Sequence, residues 1–161
     1  MKKTVNSISR FFDRALLTPL INFLRQGLSA QKLALCVTLG VVLGTFPVLG
    51  TTTLLCIGAA MLFRLNMPAI QLINYFVYPF QLLLFIPFIR AGEMLFDQPP
   101  MPLDLAMIFA MLQSDVVGAI QSLWWTNVRA IVVWGITVLP AGFLLYHLLV
   151  PLFVRLEPKS N

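Results

Sequence analysis

Ionisable chemistry is scarce in this chain. Its 161 residues include six acids, one histidine and two cysteines, and charged residues make up 11% of the total. A soluble globular domain carries nearer ~25%. One histidine, His147, cannot build a zinc or dinuclear site with acids that lie outside the apolar segments. The same histidine lies far along the chain in another predicted span, so no serine or cysteine nucleophile has a plausible base. Gly40-x-x-x-Gly44 lacks the lysine that a phosphate loop requires. No carboxylate falls inside the long apolar runs, where a proton relay would need one. These absences predict a protein that is not an enzyme and uses no metal or cofactor. The formal net charge is +5. No basic patch interleaved with aromatics accompanies it, which argues against a nucleic-acid partner.

What the chain has in abundance is apolar length. Hydrophobic residues make up 59%, and the mean hydropathy is +0.89. The expected fold class is an all-α membrane protein in one membrane domain, residues 33–155, with the lipid bilayer as its first partner. Leu33 to Phe63 is uncharged and breaks at Gly44-Thr45-Phe46-Pro47-Val48-Leu49-Gly50-Thr51-Thr52-Thr53. Pro47 removes a backbone donor and Gly50 adds local freedom, so a straight helix through the centre is disfavoured. The run exceeds the ~20 residues of one upright span and is too short for two. The shape that fits is a re-entrant hairpin of two half-helices; a single tilted span is the rival.

The other elements follow in order. Residues 1–32 read as a basic amphipathic helix at the membrane interface. Arg64-Leu65-Asn66-Met67-Pro68 is a polar turn, and Pro68 suits the start of a span over 68–89. Gln71, Asn74, Tyr75, Tyr78 and Gln81 share about a third of that helix's circumference. Polar groups facing lipid are costly, so the stripe is expected to face inward and brace the hairpin or line a pocket, with Pro79 loosening the backbone beside it.

Residues 101–125 read as an external interfacial helix bearing Asp104 and Asp115 on a solvated side, with Trp124 and Trp125 as a belt signal. Residues 130–154 read as the last span, kinked at Pro140, and 156–161 as a short tail. Lys2, Lys3, Arg10, Arg14, Arg25 and Lys32 precede the first apolar run, and Arg155 and Lys159 follow the last. Both termini are therefore expected on the cytoplasmic side. Cys36 and Cys56 read as small buried hydrophobes, and Gly40 and Gly44 as a close-packing helix surface.

The combination Gly40-x-x-x-Gly44-x-Phe46-Pro47-x-x-Gly50-x-Thr52, then Arg64-Leu65-Asn66-x-Pro68, then Tyr78-Pro79 and Gly92-Glu93, resembles the bacterial domain-of-unknown-function family 2062 across roughly residues 28–155. Many members carry Asn-Pro-x-Thr where this chain has Tyr78-Pro79-Phe80-Gln81, with Asn74 one turn earlier. The resemblance implies an integral protein of the bacterial inner membrane and implies no activity. Two functions of different class stay open on the sequence. One is a small transport or lipid-handling protein, acting as an oligomer, with a polar pocket at the hairpin tip formed by Phe46, Pro47, Gly50, Thr51, Thr52, Asn66 and the stripe. The other is a non-catalytic scaffold or accessory subunit with a partner membrane protein.

Overall fold

The computed structural model describes residues 28–101 and 113–156, together with positions 18, 22, 104, 110 and 111. The expected N-terminal amphipathic helix, most of the acidic segment after Met101 and the last residues of the tail lie outside the described residues. Four helices order the rest: α1 (Ala30–Gly44), α2 (Thr52–Leu62), α3 (Met67–Leu95) and α4 (Val116–Leu156).

Leu33 to Phe63 is therefore two short apolar helices joined by a turn, and not one helix. Ser29 caps α1, its Oγ accepting from the Lys32 N–H at 3.4 Å. Pro47 is fully buried in the turn, and Gly50 has φ +83, a conformation that a side chain disfavours. Helix α2 ends in a Schellman motif: Leu65 N–H reaches the Ala60 carbonyl at 2.8 Å and Arg64 N–H the Met61 carbonyl at 3.4 Å. Arg64 occupies the left-handed position at φ 51, where glycine would avoid a cost of about 1 kcal/mol. Asn66 then opens α3, its Oδ1 accepting from the Ala69 N–H at 2.9 Å.

Helix α3 runs past the expected limit near Ile89 to Leu95, so Arg90, Gly92 and Glu93 are helical. The separate interfacial helix and last span are not separate. One helix of 41 residues carries Trp124 and Trp125 on into the apolar segment and continues through Pro140 and Pro151. Residues 126–129 contain neither glycine nor proline to break it. The two polar side chains there bond back to their own helix: Thr126 Oγ1 donates to the Ser122 carbonyl (2.9 Å) and Asn127 Nδ2 to the Leu123 carbonyl (2.9 Å). The break falls earlier, at Asp115, whose Oδ1 accepts from the Gly118 N–H at 3.0 Å. Asp115 is exposed, as expected, and serves as the cap of α4.

Helices α1, α3 and α4 pack against one another, and each pair meets at a glycine. Gly40 of α1 lies against Ile73 of α3, Gly92 of α3 against the backbone of Arg129 and Ala130, and Gly142 of α4 against Val42 of α1. These contacts make α1 and α3 parallel and α4 antiparallel to both. At the hairpin's open end, Ala30, Leu33, Cys36, Cys56, Ala60, Ala69, Ile70 and Phe153 form one core, with both cysteines free. A second core gathers Val42, Phe88, Ile89, Ala130, Val133 and Trp134 beyond the turn.

Many large apolar side chains face outward. Leu83, Leu144 and Leu148 are all exposed. In the most apolar stretches of α3 and α4 only 33% and 22% of residues are buried, whereas core helices of a water-soluble fold bury most of theirs. Both helices are long and apolar enough to cross a membrane.

Candidate functional site at the hairpin turn

Residues 45–51 sit against the middle of α3. At about 1.5 Å per residue, α1 rises about 22 Å along the roughly 43 Å of α3. Cys36 Sγ lies 3.9 Å from the Asn66 carbonyl near the start of α3, and the turn reaches Gln81. The turn thus lies about midway along α3, with the first half of α1 and the end of α2 toward the start of α3.

The polar side chains of α3 fasten this tip. Gln81, 1% exposed, donates from Nε2 to the Phe46 carbonyl at 2.9 Å. Gln71 Nε2 donates to the Thr53 carbonyl at 3.2 Å, and Asn74 Nδ2 donates to Gln71 Oε1 at 3.2 Å and to Thr53 Oγ1 at 3.5 Å. From α4, Trp134 Nε1 donates to Thr45 Oγ1 at 3.3 Å, and Thr45 Oγ1 donates to the Val42 carbonyl at 2.9 Å. The Trp134 ring meets Phe46 edge to face with centroids 5.0 Å apart. A turn has carbonyls that no helix satisfies, and in an apolar setting each one needs a donor from elsewhere. The amide of Gln81 is that donor for Phe46, whereas the Thr53 carbonyl that Gln71 reaches lies in the first turn of α2.

The expected stripe is divided. Gln71, Asn74 and Gln81 reach the hairpin, but Tyr75 and Tyr78 are 65% and 48% exposed, and Pro79 is exposed with them. The stripe is wider than the hairpin it faces, so the tyrosine edge lies outside the contact. Their phenols are amphipathic and tolerate an apolar surface better than a primary amide would. Thr51 does not cap α2 with its side chain; its Oγ1 donates to the Val48 carbonyl at 2.8 Å. Thr52 is buried, and Asn66 lies at the other end of the hairpin as the cap of α3. Gly44 faces Val77 and the Asn74 side chain, 3.2–3.3 Å from where a Cβ would sit.

Two polar features went unread in the sequence. Gln81 Oε1 is buried without a hydrogen-bond partner among the described residues, as is Thr38 Oγ1. At the far end of α3, Glu93 accepts from Arg90 Nη1 at 2.8 Å and from the Met101 N–H at 2.7 Å, while Arg90 also donates to the Met101 carbonyl. The Arg90 and Glu93 spacing of three was visible as a helical pair. Their grip on the Met101 backbone depends on the fold of the Gln98–Met101 turn.

Replacing Gln81 by leucine keeps the volume roughly constant and orphans the Phe46 carbonyl. The expected loss is about 1–3 kcal/mol, against about 0.6 kcal/mol for Asn74→Ala, whose bonds are longer. Thermal unfolding of the detergent-solubilised variants gives the comparison, and equal losses would remove Gln81 as the principal brace.

A bundle of two long apolar helices around a fastened helix–turn–helix, with a lipophilic exterior, is the architecture of a small α-helical membrane protein. The chain belongs to the family described as "Uncharacterized protein conserved in bacteria (DUF2062)", matched over residues 13–159. No curated protein and no solved structure matches it.

Proposed function

We propose that the protein is a small, non-catalytic transport or lipid-handling protein of the bacterial inner membrane, built on α1–turn–α2 as a re-entrant hairpin. One observation carries this reading: a polar cluster at mid-height of α3, in which Gln81 braces the turn with Nε2 and keeps Oε1 without a partner among the described residues. A buried acceptor in an apolar bundle is costly unless a donor visits it, and a water or a substrate hydroxyl supplies one. Polar backbone ends in the middle of a membrane are where transporters place their substrate sites. The cytoplasmic placement of both termini, argued from the flanking basic residues, completes the topology.

A scaffold or accessory subunit is the second reading. It is favoured by Gln71 and Asn74, which bond to Thr53 and to each other, so that this part of the cluster is closed. Single cysteines placed in a variant lacking Cys36 and Cys56 separate the two. With membrane-impermeant thiol reagents, Arg64→Cys and Ser160→Cys are expected to label only from the cytoplasmic side and Gln98→Cys only from the other. Labelling at Leu49→Cys, on the exposed side of the turn, marks water reaching the tip and supports transport. A silent Leu49 supports the scaffold. Arg64 labelling from the side opposite Ser160 would abolish the hairpin reading altogether.

A further inference from the structure

A cleft of about 390 Å³ opens beside α4 at the end of the bundle remote from the hairpin's open end. Gln121, Ser122, Trp125 and Arg129 recur at spacings of one, three and four and line it from one face of α4, while Gln98 and Met101 close the opposite side. Its volume lies in the range of small-ligand sites, about 300–1,000 Å³. Among the described residues no acid lines it. Arg129 donates from Nη2 to Gln98 Oε1 at 3.2 Å, which positions the guanidinium without neutralising it. Among the described residues the only ion pair is Arg90–Glu93, so Arg129 has no carboxylate partner there.

The level of the cleft follows from charge. From Met67 to Ile89, α3 is uncharged over about 34 Å, and from Ala130 to Val154 α4 carries no Asp, Glu, Lys or Arg over about 37 Å. Those lengths match a hydrocarbon core of about 30 Å. Arg90, Glu93 and Arg129 begin immediately beyond it, at one height, because Gly92 packs on Arg129. Trp124 and Trp125 are both exposed at this end, in the zone where indoles favour the headgroups. A cationic cleft with amide and hydroxyl donors therefore opens among phosphates.

We propose that this cleft binds the phosphate-bearing headgroup of an anionic phospholipid. Arg129 pairs with the phosphate, Gln121 and Ser122 donate to the headgroup oxygens, and the Trp125 ring covers the glycerol region. A guanidinium held by a neutral amide keeps its charge for an incoming anion, and its planar fork suits phosphate oxygens. The proposal goes beyond the hairpin reading and does not depend on it.

Native mass spectrometry of the full chain in mild detergent, titrated with short-chain phosphatidylglycerol, tests it. The expected result is saturable binding that weakens about tenfold in Arg129→Gln, the effect of one charge-assisted hydrogen bond. Binding should weaken similarly in Gln121→Glu, which sets a negative charge at the exposed rim. Arg155→Gln, at the other end of α4, should bind as the parent does. Should Arg129→Gln fail to fold, Gln121→Glu alone decides. Equal binding by all variants, or an equal loss in Arg155→Gln, would overturn the site. Complete displacement of the lipid by millimolar inorganic phosphate would overturn the lipid as its occupant and leave a free-anion site.

Discussion

Gly40→Val is expected to cost about 3 kcal/mol, the upper end of the usual overpacking range. A Cβ at position 40 would lie 2.6 Å from Ile73 Cβ and 2.7 Å from Ile73 Cγ2, with the Ile70 carbonyl at 3.1 Å. The obstacle is the root of a β-branched side chain, which no rotamer change can move. Accommodation requires α1 and α3 to separate. That separation would pull the turn away from Gln81 and loosen the Phe46 bond at 2.9 Å. Unfolding in detergent and labelling of Leu49→Cys should therefore shift together. Gly135→Ala is the control: nothing lies within 4 Å of its added Cβ, and mid-helix glycine to alanine should stabilise by about 0.5–1 kcal/mol. Ile73→Ala removes the Cγ2 but keeps the Cβ 2.6 Å away, so combining it with Gly40→Ala should recover only part of the loss of Gly40→Ala alone, and strictly additive losses would refute the contact.

Trp134→Ala is expected to destabilise by about 3 kcal/mol, the lower end of the range for large aromatic truncations. Trp134 is buried, meets Phe46 edge to face and donates to Thr45. Part of the cost in water-soluble proteins is transfer from water, which lipid largely removes; the cavity and the lost bond remain. Trp134→Phe should retain most of the packing and lose only the indole donor, so it should cost about 1 kcal/mol. If the two substitutions cost the same, the hydrogen bond and not the packing holds Phe46 against α4. The measurement is the midpoint of thermal unfolding for each variant at fixed detergent concentration.

Much of this architecture is legible in the residues. Pro47 and Gly50 interrupt an uncharged run, and two helices with a turn at that place follow from the missing donor and the glycine's φ of +83. Asn66 and Pro68 mark the start of α3 because a cap and a proline belong in a first turn. Gln71, Asn74 and Gln81 are recognisable as amides that an apolar surface would not carry.

The misreadings have a common cause. Tyr75 and Tyr78 share the helical arc of the amides, and periodicity fixes the arc without fixing how wide the facing element is. The width of contact depends on where α2 lies, a tertiary fact. Asp115 was legible as polar but not as the cap of α4, because a helix from Leu103 onward satisfies the same spacing. Trp124 and Trp125 signal an interface in sequence, yet the chain runs straight on through Thr126 and Asn127, whose side chains bond back to their own helix. Gly92 and Gly142 are silent in sequence as contact points, since a glycine packs closely only where another helix arrives.

The sequence alone determined an apolar helical chain, the place where its first apolar run breaks and the polar groups that an apolar setting obliges to find partners. Those follow from local chemistry: backbone donors, φ preferences and the cost of bare amides in hydrocarbon. Only the tertiary structure decided which partners they find, that Gln81 takes the Phe46 carbonyl while the tyrosines face outward, and that Arg129 stands over a cleft with no acid among the described residues that line it. These depend on three glycines, Gly40, Gly92 and Gly142, that let helices far apart in sequence come to backbone distance.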